Sequence, residues 1–370
     1  MQSATNIVRR EVLAIAPYNA GITISEVVER FSPPVIAKLG SNESPLGPSP
    51  LAHHAIRLSL DMIRLYPDPQ GRLVRAKLAE HYKVGAGRII LGNGSEDLLS
   101  IIARGVLRPD DRVLTLYPSF PLHEDYTTLM GGKVQRIALG ENFSINVDSL
   151  IEALSMRPRM LLFSNPMNPV GVMLKTVELA KIIVAVPPET LIVIDEAYGE
   201  YIIGDGYASA LEILTESRCS WIVLKTFSKA YGLAGLRLGY GIASDAELIS
   251  LLDRVRTPFN VNSLAQVAAQ AALTDNEHLM KVTCLAQLEC VRISQFLLSM
   301  GCKPAPTQAN FVFFDCKKNA SEVSEQLLRH GVIVKPWKQT GYETYIRVSA
   351  GTRAENDQFM SALSTVLGKK

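Results

Sequence analysis

The sequence predicts an α/β protein: a large domain built on a mostly parallel sheet between helices, with a smaller α+β domain beside it. Two observations carry that expectation. Between residues 113 and 240, short apolar runs recur at Val113–Leu116, Met160–Phe163, Leu191–Ile194, Ile222–Leu224 and Leu238–Gly241, with amphipathic segments between several of them. Strands buried on both faces read as continuous apolar runs, and helical crossovers supply the amphipathic spacers. Beyond 245 the character changes. Helices are expected over Ala246–Val255 and Ser263–Leu273, then a long amphipathic one over His278–Met300 closed by Gly301. Strands follow at Asn310–Phe314, Val332–Val334 and Tyr345–Val348, with helices near 321–330 and 353–367. The expected division is an N-terminal arm with part of the small domain at 1–45, the large domain at 46–260 and the small C-terminal domain at 261–370.

Ahead of the sheet, a helix is expected around Thr5–Ile15, and Pro17-Tyr18 and Pro33-Pro34 then interrupt regular structure. Lys38–Gly47, reading KLGSNESPLG, is too rich in turn residues for helix or strand. A helix at about 50–63 leads to Leu65-Tyr66-Pro67-Asp68-Pro69, a turn by composition. Ile89–Leu91 reads as a strand, Gly92-Asn93-Gly94 as a turn, and Ser95, Glu96 and Asp97 as the first turn of a helix. Unpaired N–H groups and the helix dipole favour an anion there, although a plain helix cap explains the same residues.

Composition narrows the function. Of 370 residues, 47% are apolar and 20% charged, the balance of an ordinary globular protein, and 370 residues suffice for two domains. A net charge of +2 from scattered basic residues points to neither nucleic acid nor an acidic membrane surface. No apolar run approaches membrane-spanning length, and the N-terminus has no signal-peptide core. Cysteines 219, 284, 290, 302 and 316 form an odd set without a C-x-x-C pair, which reads as free thiols in a reducing cytosol. No H-E-x-x-H and no Cys/His cluster with zinc spacing occurs, so no metal is expected. G-x-S-x-G and the Walker loop are missing, and Gly92-Asn93-Gly94 lacks the third glycine of a dinucleotide fingerprint.

The polar residues fall just past the strand ends, where ligands of open α/β sheets bind. Tyr117-Pro118-Ser119-Phe120 follows one strand, Asn165-Pro166-Met167-Asn168-Pro169-Val170-Gly171 the next, and Asp195-Glu196-Ala197-Tyr198 a third. An Asp at the end of an apolar strand is costly to bury unpaired and wants a cationic partner. After Trp221–Leu224 comes KTFSKAYGLAGLRLGY, spanning Lys225–Tyr240. A lone Lys is nearly always a surface cation. Here Lys229 leaves a buried strand beside Ser228, with small residues around it and Arg237 eight positions on. That set suits a phosphate, and a desolvated amine is the group that forms Schiff bases. Arg347, in Tyr345–Ser349, reads by itself as an exposed strand residue.

The Lys225–Tyr240 stretch resembles the S-K-x-x-x-x-x-G-x-R signature around the Schiff-base lysine of fold-type I pyridoxal-phosphate enzymes. Lys38–Gly47 resembles the K-L-x-x-N-E-N-P-L-G segment of the histidinol-phosphate aminotransferases, with Ser44 where Asn is usual. Leu65–Pro69 resembles their R-Y-P-D-P, and Asn165–Gly171 resembles N-P-N-N-P-T-G, departing at Met167 and Val170. Asp195–Tyr198 matches D-E-A-Y. The order of these motifs covers essentially the whole chain and identifies it as resembling a fold-type I, class II aminotransferase of that group.

The resemblance implies a role for each residue. Lys229 holds pyridoxal 5'-phosphate and later moves the substrate proton; Asp195 keeps the pyridine nitrogen protonated; Tyr198 and Asn168 hydrogen-bond the ring oxygen. Phe120 covers the ring. Ser228, Arg237 and the backbone N–H groups of Ser95 and Glu96 hold the phosphate, with Tyr66 reaching across from the partner of a homodimer. Arg347 takes the substrate anion, Lys335 stands where relatives usually carry Arg, and Tyr18 lies near the substrate side chain. The implied reaction exchanges the amino group of histidinol phosphate with 2-oxoglutarate, giving imidazole acetol phosphate and glutamate. An aromatic amino-acid aminotransferase of the same subgroup, a threonine-phosphate decarboxylase and a non-enzymatic binding domain remain as alternatives. The joint presence of Lys229, Asp195, Tyr198 and Arg237 argues against the last.

Overall fold

The computed structural model describes residues 4–368. In chain order its strands are β1 (Ala37–Lys38), β2 (Ile89–Gly92), β3 (Arg112–Tyr117), β4 (Lys133–Ala138), β5 (Met160–Ser164), β6 (Leu191–Asp195) and β7 (Trp221–Thr226). They continue with β8 (Gly239–Ala243), β9 (Lys303–Pro304), β10 (Phe311–Asp315), β11 (Val332–Ile333), β12 (Lys335–Pro336) and β13 (Tyr345–Ser349). Seven of them form the large sheet in the order β2-β8-β7-β6-β5-β3-β4. All run the same way except β8, which is antiparallel to both β2 and β7. Both faces are covered, as the apolar runs predict. Ile192 and Ile194 of β6 enter one core while Leu191 and Val193 enter the other, and every residue of β5, β6 and β7 is buried. Each fully buried Ile, Leu or Val contributes roughly 1.5–3 kcal/mol, so this double coverage anchors the strand ends that carry the polar residues.

The smaller α+β part has its own core. An antiparallel sheet in the order β12-β13-β10-β9 packs against the long helix Asn276–Ser299, and β1 pairs parallel with β11. Residues 37–38 therefore pair with a C-terminal strand. The helix Ser263–Ala272 lies after the expected boundary at 261, yet its buried Ala265, Ala268, Ala269 and Ala272 pack into the large core. We place the proposed division at the start of the long helix for that reason.

Two of the departures from expectation have a plain physical reason. The helix expected over Thr5–Ile15 is a single turn at Ala4–Asn6 and another at Arg10–Leu13. Ile7 and Leu13 are exposed, so no packing within the chain supports a longer one. Strand β4 had no apolar run to announce it. It is the edge strand of the sheet, only half-buried, and its sequence KVQRIA is correspondingly mixed.

Candidate active site

The carboxyl ends of β2, β3, β5, β6 and β7 converge on a cavity of about 660 Å³ between the two cores. Every candidate residue except Tyr66 lines it: Tyr18, Ser95, Glu96, Phe120, Asn168, Asp195, Tyr198, Ser228, Lys229, Arg237, Lys335 and Arg347. Tyr66 is 83% exposed and stacks on Phe259 at 4.7 Å, away from the cavity of its own chain.

Lys229 follows β7 and its half-buried side chain lines the cavity, where Nζ donates to the Ser41 carbonyl at 2.9 Å. Burial first, and then the Arg347 charge, pull its pKa down from 10.5 to about 8. Neighbouring Ser228 is buried against Thr226, whose Oγ1 accepts from the Ser228 amide at 3.1 Å.

The reversed strand β8 brings Arg237 to the same rim. Because β8 runs antiparallel, the residue entering it lies at the carboxyl end of its neighbours. Gly239 sits opposite both Gly92 and Thr226. A Cβ on Gly239 would meet the Ser95 nitrogen at 2.2 Å, so only glycine lets the N-terminus of the helix Ser95–Val106 sit on the sheet. Gly94, at φ +85°, has room for no side chain either, since a Cβ there would lie 2.5 Å from the Arg237 guanidinium. Unpaired N–H groups and a guanidinium thus face one corner of the cavity, a setting for a phosphate.

Asp195 ends β6. Its Oδ1 accepts from the Ala197 amide at 3.0 Å, and Oδ2 lies 3.3 Å from Nε2 of His123 on the helix Pro121–Leu129. Both residues are buried. Tyr198 OH accepts from Asn42 Nδ2 at 2.9 Å, and Asn42 is itself tied to Ser349. Asn168 Oδ1 accepts from Arg347 Nη1 at 2.6 Å.

Arg347 is buried on β13, with Nη2 on the Gly40 carbonyl at 2.9 Å and Nε without a hydrogen-bond partner among the described residues. Burial lowers its pKa and no carboxylate restores it. Lys335 of β12 stands directly opposite Arg347 in the antiparallel ladder, so the two cations share a face. Lys335 donates to the Asn19 carbonyl, and burial with the Arg347 and Lys338 charges brings its pKa down to about 8. Like charges placed directly opposite are destabilising, and a buried guanidinium lacking a counter-ion is costly. The pair makes sense around an anion.

Sequence reasoning missed His123 and did not single out Asn42. His123 carries a weak signal, a histidine in the helix entered just past a strand end. Asn42 lies in the Lys38–Gly47 segment, whose resemblance to a family motif gave it no role, and its contact with Tyr198 spans 156 positions.

Fold and cavity together give an α/β protein with a corner suited to an anion beside a half-buried, readily deprotonated lysine. The family model Aminotransferase class I and II matches residues 34–363, and the chain belongs to that family. A histidinol-phosphate aminotransferase of Mesorhizobium japonicum is 59% identical over 99% of this chain and 100% of its own length. Another from Rhizobium meliloti is 55% identical, covering 97% of each. Among solved structures, histidinol-phosphate aminotransferase from Sinorhizobium meliloti in complex with pyridoxal-5'-phosphate superposes with a TM-score of 0.90 at 28% identity, over 100% of this chain and 99% of that one.

Proposed function

We propose that the chain is a pyridoxal-phosphate-dependent transaminase that converts histidinol phosphate and 2-oxoglutarate to imidazole acetol phosphate and glutamate in histidine biosynthesis. The observation that carries the reading is the facing pair Lys335 and Arg347 above Lys229. Both the phosphate of histidinol phosphate and the distal carboxylate of glutamate need an anion site that can serve either, and a guanidinium fork beside an ammonium does so. The relatives at 59% and 55% identity support the same substrate.

The cavity suits the cofactor. The corner formed by the Ser95 helix, Ser228 and Arg237 has no room for side chains at Gly94 and Gly239, leaving space for a phosphate. When bound, pyridoxal 5'-phosphate supplies an electron-poor pyridinium ring that takes up the electron pair left as the substrate loses its α-proton. Asp195, steadied by His123 and the Ala197 amide, would hold the proton on the ring nitrogen. Tyr198 and Asn168 would orient the ring through its hydroxyl oxygen, and Phe120 would lie against its face. Lys229 Nζ would bond the cofactor at rest and, once freed, take the proton from the substrate α-carbon and return it on the far side of the exchange. Its pKa of about 8 suits both directions at neutral pH. Tyr18 would close the substrate side of the cavity.

The reading extends to a cytoplasmic homodimer. Tyr66 lies among exposed Leu58, Ile63, Leu65 and Leu73, an apolar surface of the kind that associates, and from there it would reach the partner's phosphate site. All five cysteines are free thiols, as a reducing compartment allows. Steady-state kinetics with histidinol phosphate, phenylalanine and tyrosine as donors to 2-oxoglutarate test the substrate. A preference for either amino acid over histidinol phosphate would transfer the assignment to the aromatic aminotransferases.

A further inference from the structure

Beyond Lys335 and Arg347 the main cavity opens into an annex of about 290 Å³, far more than the ~30 Å³ a water occupies. Phe120 and Trp337 supply aromatic walls, and Pro17, Pro121 and Pro336 line it further. Trp337 is held in place by its Nε1–H donating to Gln339 Oε1 at 2.9 Å, and Gln339 Oε1 also accepts from the Ser119 amide at 3.1 Å. Into this mostly apolar space, whose lining also includes Lys335, Lys338 and Arg347, faces one carboxylate, Asp125, from the helix Pro121–Leu129. Among the described residues its carboxylate takes no hydrogen bond and no ion pair. Burial and the neighbouring Glu124 push its pKa up, and no cation pulls it back. A half-buried carboxylate that faces a cavity with aromatic walls and takes no partner from the described residues is free to accept from a ligand.

Histidinol phosphate has two arms on its amine-bearing carbon. One ends in the phosphate, which Lys335 and Arg347 would take. The other ends in a flat ring with apolar faces and an N–H at its edge. We propose that the annex receives the imidazole ring and that the Asp125 carboxylate accepts its ring N–H, making Asp125 a residue that selects the ring. This rests on the transaminase reading above. Glutamate's two arms both end in carboxylates, so neither offers an N–H that Asp125 could accept. A phenyl ring would fit the walls but leave Asp125 unsatisfied, so the same carboxylate discriminates against phenylalanine. A site built to hydrogen-bond a ring N–H rejects the analogue lacking it far more strongly than an apolar pocket rejects an extra group.

The test compares kcat/KM for histidinol phosphate with that for glutamate in the cofactor-loaded enzyme and its Asp125→Leu and Asp125→Asn variants. Removing an acceptor for a polar or charged ring should lower the ratio roughly 10- to 100-fold in Asp125→Leu. Asp125→Asn keeps an acceptor oxygen without the charge and should fall between. The Leu variant should also raise the rate with phenylalanine relative to histidinol phosphate. An unchanged ratio, or an equal loss for both donors, overturns the assignment of Asp125 while leaving the transaminase reading intact. Wild-type enzyme that fails to use histidinol phosphate overturns the substrate reading, and this proposal with it, before any variant is made. If Asp125→Leu does not fold, the ratio in Asp125→Asn decides.

Discussion

Lys229 offers the most direct quantitative check. With its pKa at about 8, roughly one amine in ten is neutral at pH 7, against about one in three thousand for an ordinary lysine near 10.5. The gain of about 300-fold in free amine is what burial provides for nucleophilic attack on a carbonyl. Stopped-flow absorbance of cofactor-free enzyme mixed with pyridoxal 5'-phosphate should show capture rising about tenfold per pH unit below pH 8 and levelling above it. Borohydride should then fix the cofactor to Lys229, as peptide mapping would show. The same depression has a stability consequence of opposite sign to a salt bridge. The folded state sheds its proton at about 8 and the unfolded state near 10.5, so burying the ammonium costs stability in full below pH 8. That cost, about 3 kcal/mol, fades as pH rises towards 10.5. Lys229→Met should therefore stabilise the cofactor-free protein at pH 7, less what is lost at the Ser41 carbonyl, and the gap should close at high pH. A capture rate independent of pH between 6 and 9, or an adduct on another lysine, would refute the argument.

Four further outcomes are expected. Asp195→Asn should keep the fold and the cofactor but lose turnover by about two to four orders of magnitude, since an amide cannot hold the ring nitrogen protonated; near-normal kcat would remove Asp195 from the chemistry. Mixed Tyr66→Ala and Lys229→Ala subunits should regain activity, because one site in each hybrid dimer would be complete; silence after proven subunit exchange would count against a shared site. Arg347→Ala should lower kcat/KM for both donors, by about 2–5 kcal/mol, because the fork serves both anions. Lys335→Ala should penalise histidinol phosphate more than glutamate, since a phosphate dianion rewards a point charge more, and equal losses would show that Lys335 does not read the phosphate.

The sequence was most legible where one residue's surroundings are local. A buried strand announces itself by a run of apolar residues, and the polar residue after it then has a known location, which is why Asp195, Lys229 and Phe120 could be placed at one rim from spacing alone. Partners that meet through tertiary packing were hidden. Asp195 and His123 lie 72 positions apart, and nothing in the histidine's neighbours says that its helix turns Nε2 towards β6. Arg347 read by itself as an exposed strand residue, because the carbonyl of Gly40 and the side chain of Asn168 that hold it come from distant segments. Edge strand β4 was lost for the opposite reason, its half-buried alternation being too polar to register as a run.

Strand direction is the subtler case. An apolar run reads the same whether its strand lies parallel or antiparallel to its neighbours, so Leu238–Gly241 looked like one more member of a parallel sheet. The reversal of β8 nevertheless shapes the site. Had β8 run parallel to β7, a helical crossover would have been needed between them, and the residue entering β8 would have lain at the far edge of the sheet. Instead a connection over residues 227–238 without an α-helix suffices, and it carries both Lys229 and Arg237 to the same rim. Pairing with β2 on the other side sets Gly239 beneath the N-terminus of the Ser95 helix, so one reversed strand joins the lysine, the guanidinium and the helix N–H groups around a single anion-sized corner. Substituting Gly239 should thus disturb cofactor affinity more than the chemistry at Lys229, because a side chain there displaces the helix end and leaves the lysine where it is.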